Sequence, residues 1–209
     1  MLKWLIASVV GLLVIVLVGT QILLPPIISG KIEDRLTKAG GTADATIKAF
    51  PALRLLFHDG DKLKVRGNGV RIPVKELGGG GFKDLDGFDE VDLRLTDYTV
   101  GPFRSRQTVI DRPEGNSLYN FAFTGSTSAN ELSTFALSAL PPGLAALIGG
   151  LVDRTSRLGA AQVPIRLVAQ LKSDNGTAQL VRGTGTVAGI PLGPLAVSIA
   201  GAIVSRITS

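Results

Sequence analysis

His58 and Asp59 are adjacent, and a histidine beside a carboxylate is the usual pairing of a base with the group that orients it. His58 is the single histidine of the 209-residue chain, so a triad or a histidine zinc site would rest on it alone. No serine stands in a Gly-x-Ser-x-Gly setting. The pair sits in the turn-like sequence His58-Asp59-Gly60-Asp61, where Asp and Gly serve conformation, so a turn histidine is the favoured reading. The carboxylates Asp84, Asp86, Asp89, Glu90 and Asp92 could suggest calcium, but they lack the loop order and the closing glutamate of an EF-hand. There is no cysteine, which excludes thiol catalysis, thiolate metal sites and redox chemistry. No catalytic residue, metal site or cofactor is expected, and an enzyme is not the expected class.

The basic residues carry a different chemistry. Net charge is +5, and Lys and Arg concentrate between residues 35 and 75. Arg54, Lys64, Arg66 and Arg71 are candidates for a rim around a phosphate headgroup, since guanidinium and ammonium groups make charge-assisted bonds to phosphate oxygens. Nucleic acid is the other common anionic partner. Aromatics are only 5% of the chain, too few for the stacking platforms of single-strand binders. A membrane surface is therefore the expected partner, and nucleic acid is not.

These residues must be positioned by the elements around them. Residues 4–24 form an uncharged apolar run preceded by Lys3 and followed by Pro25-Pro26. A helix of about 20 such residues spans roughly 30 Å, the hydrocarbon thickness of a bilayer. The positive charge ahead of the run places the N-terminus in the cytoplasm and the rest outside it. A cleaved signal peptide is the competing reading, but the run is long for one and no small-x-small site closes it. The expected organisation is a membrane anchor over 1–26 and an extracytoplasmic domain over 27–209, in the cytoplasmic membrane by a single pass.

After the prolines, 27–39 reads as a separate short helix with Ile27, Ile28, Ile32 and Leu36 at helical spacing and Gly40-Gly41 as its stop. The period then becomes two. Ala45, Ile47 and Ala49 alternate with polar residues, as do Leu63 and Val65, and the phase slips by one after Gly67-Asn68-Gly69, as at a bulge. Val91, Leu93 and Leu95 form a strand, and 103–110 is expected to alternate throughout. Tyr119, Phe121 and Phe123 share another strand face. Gly78 to Gly81 reads as a mobile tip, and Asp84-Leu85-Asp86-Gly87 as a turn. Val163 to Leu171 alternates again, Pro164 marks an edge or a strand end, and Asp174-Asn175-Gly176 is a hairpin turn. Short turns between alternating strands argue an antiparallel meander.

Ser128 to Glu131 has the pattern of a capping box opening a helix, and Pro141-Pro142 divides that helix into a pair. Residues 113–153 contain no Lys or Arg. Phe135, Leu140, Leu144, Leu147, Ile148 and Leu151 are the expected lining of an apolar cleft, with a plain cover for the sheet as the alternative. The tail 194–207 reads as a small apolar helix packed on the sheet or at an interface.

The stretch Phe50-Pro51-Ala52-Leu53-Arg54-Leu55-Leu56-Phe57, the strand from Leu63 to Ile72 and the phrase Leu85-Asp86-Gly87-Phe88-Asp89-Glu90-Val91-Asp92-Leu93, behind an export anchor, resemble the LmeA-like phospholipid-binding family of actinobacterial cell-envelope proteins. The resemblance covers roughly residues 27–190. It implies a fold similar to tubular lipid-binding domains, a long curved antiparallel sheet against a helix around an apolar cavity, and it implies no catalytic residue. The expected class is thus α+β: a long curved antiparallel sheet packed on a helix pair, with an N-terminal transmembrane helix. The expected function is binding of a phospholipid, glycolipid or similar acyl chain in that cleft, in envelope maintenance or lipid transfer. The rivals are a solid-core structural or protein-interaction domain and a hydrolase of envelope lipids.

Overall fold

A computed structural model of the protein describes residues 2–72, 81–100, 103–128, 130–131 and 162–191, with side chains in the first helix described from residue 18 onward. The expected helix pair, the cleft residues Phe135 to Leu151, the start of the glycine tip and the tail 194–207 lie outside the described residues. Among those described, the chain is α+β, one long mixed sheet with few helices.

The first helix, α1, runs Leu2–Thr37 without a break, so the expected stop at Pro25-Pro26 does not occur. Each proline removes one backbone hydrogen bond. The helix continues because Leu24, Ile28, Ile32 and Leu36, spaced by four, form one stripe packed on the sheet core. That stripe begins before the prolines and runs past them. At 36 residues the helix is about 54 Å long. Among the described residues no helix is long and apolar enough to cross a membrane; the side chains of residues 2–17, most of the uncharged run, lie outside them.

The strands are β1 (Thr42–Lys48), β2 (Gly60–Asn68), β3 (Arg71–Ile72), β4 (Phe88–Val100), β5 (Phe103–Arg112), β6 (Leu118–Ser128), β7 (Gln162–Asp174), β8 (Thr177–Val187) and β9 (Ile190–Pro191). Their order in the sheet is β1-β2-β4-β5-β6-β7-β8-β9, with β3 also on β4. Every neighbouring pair is antiparallel except β2 and β3 on β4, which run parallel to it. The expected pure meander therefore fails at one place. Alternation reports which side chains face inward, and it is the same in both pairings, so it could not reveal the parallel step.

β2 and β3 share one alignment on β4: Asn68 faces Thr96, and Arg71 faces Thr99. The junction residue Gly69 (φ 65°) thus stands opposite Asp97 (φ 48°), both left-handed. The inward set slips by one there in both strands, from Leu63 and Val65 to Val70, and from Val91 and Leu95 to Tyr98. In β5 the slip falls between Ser105 and Thr108, so the alternation expected over 103–110 breaks at Arg106. β6 keeps one phase through Tyr119, Phe121, Phe123 and Thr127, and the β5–β6 bulge between Ser105 and Gln107 absorbs the difference. A line of irregularities thus crosses three strands and ends at a bulge, a device that bends a sheet. Beneath it the inward hydroxyls are paired: Tyr98 Oη with Thr108 Oγ1 at 2.8 Å, and Ser105 Oγ with Thr108 Oγ1 at 3.1 Å. Burial pushes the Tyr98 phenol above its ordinary pKa.

Other expected features are present. Ala45, Ile47 and Ala49 are buried, and so are Val163, Ile165, Leu167, Ala169 and Leu171. Asn175 (φ 52°) and Gly176 (φ 84°) form the β7–β8 turn, with the positive φ that a type I′ hairpin requires. Pro164 lies near the start of β7, a central strand, so it marks a strand end and not an edge. The capping box forms: Glu131 N–H donates to Ser128 Oγ (3.3 Å), and Ser128 N–H donates to Glu131 Oε2 (3.3 Å).

Candidate functional site

Three elements enclose a cleft on the inner face of β2 and β4. The first is the second half of α1. The second is a 3₁₀ helix, Ala52–Phe57, whose end His58 adopts left-handed geometry (φ 59°). The third is α2, Gly81–Asp86, a short helix where the sequence suggested a glycine tip and a turn. The cleft has a volume of about 630 Å³, within the range of small-ligand sites. Its floor is apolar: Leu55, Leu63, Val65 and Phe88 are buried, and Ile28, Ile32, Leu36, Leu85 and Leu93 are half-buried.

Four exposed polar residues complete the lining: Lys31 and Arg35 from α1, His58, and Asp84 from α2. Lys31 and Arg35 are one helical turn apart and so project to the same side. Neither forms an ion pair among the described residues. Among the described lining residues none is a serine, threonine or tyrosine. The arrangement is suited to holding an apolar chain on the floor with an anionic group at the rim.

α1 is fixed against this site by polar clamps. Gln21 donates from Nε2 to the Ala49 carbonyl and accepts on Oε1 from Ala52 N–H, both at 2.8 Å. Glu33 Oε1 accepts from Ala45 N–H at 2.8 Å. Side chains of α1 thereby satisfy backbone groups along the edge strand β1 and beyond it. Gly60 N–H donates to the Gly87 carbonyl (3.0 Å), which joins the His58 turn to the end of α2. A Cβ at Gly87 would lie 1.7 Å from the His58 carbonyl oxygen, so only glycine permits this approach.

The other face of α2 is locked to the sheet. Arg112, 8% exposed, donates from Nη1 to Tyr119 Oη at 2.7 Å and from Nη2 to the Phe88 carbonyl. Its guanidinium lies 4.6 Å from the centre of the Tyr119 ring. Tyr119 Oη donates to Asp86 Oδ1 (2.9 Å), and Ser173 Oγ donates to Asp86 Oδ2 (2.5 Å). Burial, and then the bond to Asp86, raise the Tyr119 phenol well above its ordinary pKa. Phe82 packs edge-on against Tyr119, with ring centres 4.8 Å apart.

The residues expected to form a headgroup rim are dispersed. Arg54 is bidentate to Asp59 (2.8 and 3.0 Å), reaches Asp61 at 2.6 Å and lies 3.7 Å from Asp89. It holds the Asp59 carboxyl below its ordinary pKa. Arg66 pairs with Asp92, whose pKa is lowered first by that bond. Lys64 and Arg66 alternate with Leu63 and Val65, so they face away from the cleft. Arg71 is exposed on β3. None of the four lines this cleft, whose exposed polar residues are Lys31, Arg35, His58 and Asp84; the cleft around which they were expected, Phe135 to Leu151, lies outside the described residues. The sequence signal for Lys31 and Arg35 was their i, i+4 spacing beside the stripe of Ile28, Ile32 and Leu36. Compared with protein-family models, curated proteins and solved structures, the chain finds no match.

Proposed function

We propose that the protein binds the acyl chain of a membrane lipid with an anionic headgroup in the cleft between α1 and the sheet. The reading includes an anchor over residues 1–26 and an extracytoplasmic domain, and it agrees with the resemblance to the LmeA-like phospholipid-binding family. One observation carries it: an apolar floor of about 630 Å³ has two cations without ion-pair partners among the described residues at its rim. Both cations sit on the helix that continues from the uncharged run.

Magnitudes decide what each part does. Eight methylenes moved from water to the floor contribute roughly 6 kcal/mol at about 0.8 each. Association costs an estimated 4–15 kcal/mol. The chain alone therefore offsets the cost only at its lower end, and charge-assisted bonds from Lys31 and Arg35 add to it and give the preference for anionic lipid.

The test is displacement of a fluorescent fatty-acyl probe from the purified full-length chain. Anionic phospholipid should compete better than a zwitterionic lipid of the same chain length. A delipidated chain that binds no probe refutes the proposal and favours the solid-core interaction domain.

A further inference from the structure

The 3₁₀ helix and the residues just before it expose large apolar side chains. Phe50 is 76% exposed and Phe57 82%, and Leu56 beside it is also exposed. Isolated exposed apolar residues are ordinary, but three within eight positions call for an occupant. The neighbouring part of α1 is of the same kind, with Val18, Ile22 and Leu23 exposed. The two segments are fastened together, because Gln21 bonds the backbone on both sides of Phe50, at Ala49 and at Ala52.

The length of helix beyond this clamp identifies the occupant. From Gln21 back to Leu2 the helix has 20 residues, about 30 Å, which equals the hydrocarbon thickness of a bilayer. No charged residue occurs between Lys3 and Lys31. Were the run 4–24 to span a bilayer, the clamp would stand where the helix leaves it. We infer that Phe50, with Leu56 and Phe57, inserts into the lipid interface beside the emerging helix and seats the domain directly on the membrane. Phe and Leu are the side chains that interfacial segments bury about 5–10 Å into the boundary between headgroups and acyl chains. The segment also carries Leu55 and His58, which line the cleft, so seating brings the cleft to the lipid surface. This inference rests on the anchor of the proposed function and adds a second contact with the same bilayer.

Because the chain has no cysteine, one introduced cysteine is labelled uniquely. The full-length chain is reconstituted in phosphatidylglycerol–phosphatidylcholine vesicles carrying lipids spin-labelled at graded depths. An environment-sensitive fluorophore is placed at Phe50→Cys, at Leu13→Cys within the run, or at Val168→Cys, an exposed position on β7. Should Phe50→Cys lower the melting temperature, Phe57→Cys gives the same readout. The inference expects quenching at shallow depth from Phe50→Cys, at deep positions from Leu13→Cys, and none from Val168→Cys. Deep quenching at Leu13→Cys with an aqueous label at Phe50→Cys overturns the inference and leaves the anchor standing. Aqueous labels at both positions overturn the anchor and the inference together.

Discussion

Asp84 and Asp86 stand two residues apart on α2, in opposite circumstances. Asp86 accepts from Tyr119 and Ser173 and lies 3.8 Å from Arg112, so its charge is used up inside the fold. Asp84 is exposed at the cleft, across which Lys31 and Arg35 also stand without ion pairs among the described residues. The first set is a fastening, since it joins α2 to β5, β6 and β7 through partly buried bonds. The second set surrounds apolar surface with unspent charge, which adds little to stability and is available to a ligand. Charge that is already paired, as at Arg54 and Arg66, belongs with the first kind. Counting basic residues in the sequence could not separate the two.

The contrast breaks if the two sets respond alike to substitution. Arg112→Ala should have the largest effect, a loss of about 3 kcal/mol of stability, because it removes the buried donors to Tyr119 Oη and the Phe88 carbonyl and takes the positive charge away from half-buried Asp86. Chemical denaturation measures it, and a loss below about 1 kcal/mol would mean that α2 is held otherwise. Next, Ile32→Trp should fill the cleft. Displacing three methylenes of an acyl chain removes roughly 2.4 kcal/mol, a roughly fifty-fold weaker affinity for the probe; because Ile32 also packs α1 on the sheet, the melting temperature is read alongside, and a value near that of wild type shows the helix still seated. Equal binding by this variant would place the chain elsewhere.

Reversing the rim with Lys31→Glu and Arg35→Glu should weaken binding of anionic lipid roughly tenfold at low salt. The effect should shrink as ionic strength rises, since screening acts over about 10 Å at 0.1 M. Stability should stay within about 0.5 kcal/mol, as expected of surface positions. The same reversal at Lys64, on the opposite face, should leave lipid binding unchanged.

The smallest effect concerns acid. The carboxyls of Asp59 and Asp92 are held below the ordinary value of 3.8 by Arg54 and Arg66. A depressed folded pKa contributes stability that is present above 3.8 and lost as pH falls through the folded values. Stability from these pairs should therefore be flat down to about pH 4 and decline below it, modestly, because the pairs are partly solvated. Arg66→Gln should reduce the decline, and an acid titration of unfolding that is identical in the variant would deny Asp92 that role.

Much of the sheet was legible because its inner face is buried and its outer face is wet. Leu63 and Val65, the trio Tyr119, Phe121 and Phe123, and the run Val163 to Leu171 each announce a strand by period two. Glycines at 67 and 69 announced one phase slip, but its partners at Asp97 and Arg106 carry no glycine and were invisible until register placed them opposite. The continuity of α1 was hidden because proline is a local signal, whereas the stripe from Leu24 to Leu36 acts through packing. The cleft was hidden for a related reason. Ile32, Leu55, Leu85 and Leu93 belong to four elements, and no spacing within one element can report that they converge.

The central claim is that an acyl chain occupies this cleft, and native mass spectrometry of the full-length chain tests it most directly when wild type and Ile32→Trp are compared under one protocol. The account predicts that wild type retains one phospholipid through mild release from detergent and that the filled variant loses it. A bare wild-type chain, or a lipid retained equally by Ile32→Trp, would contradict it.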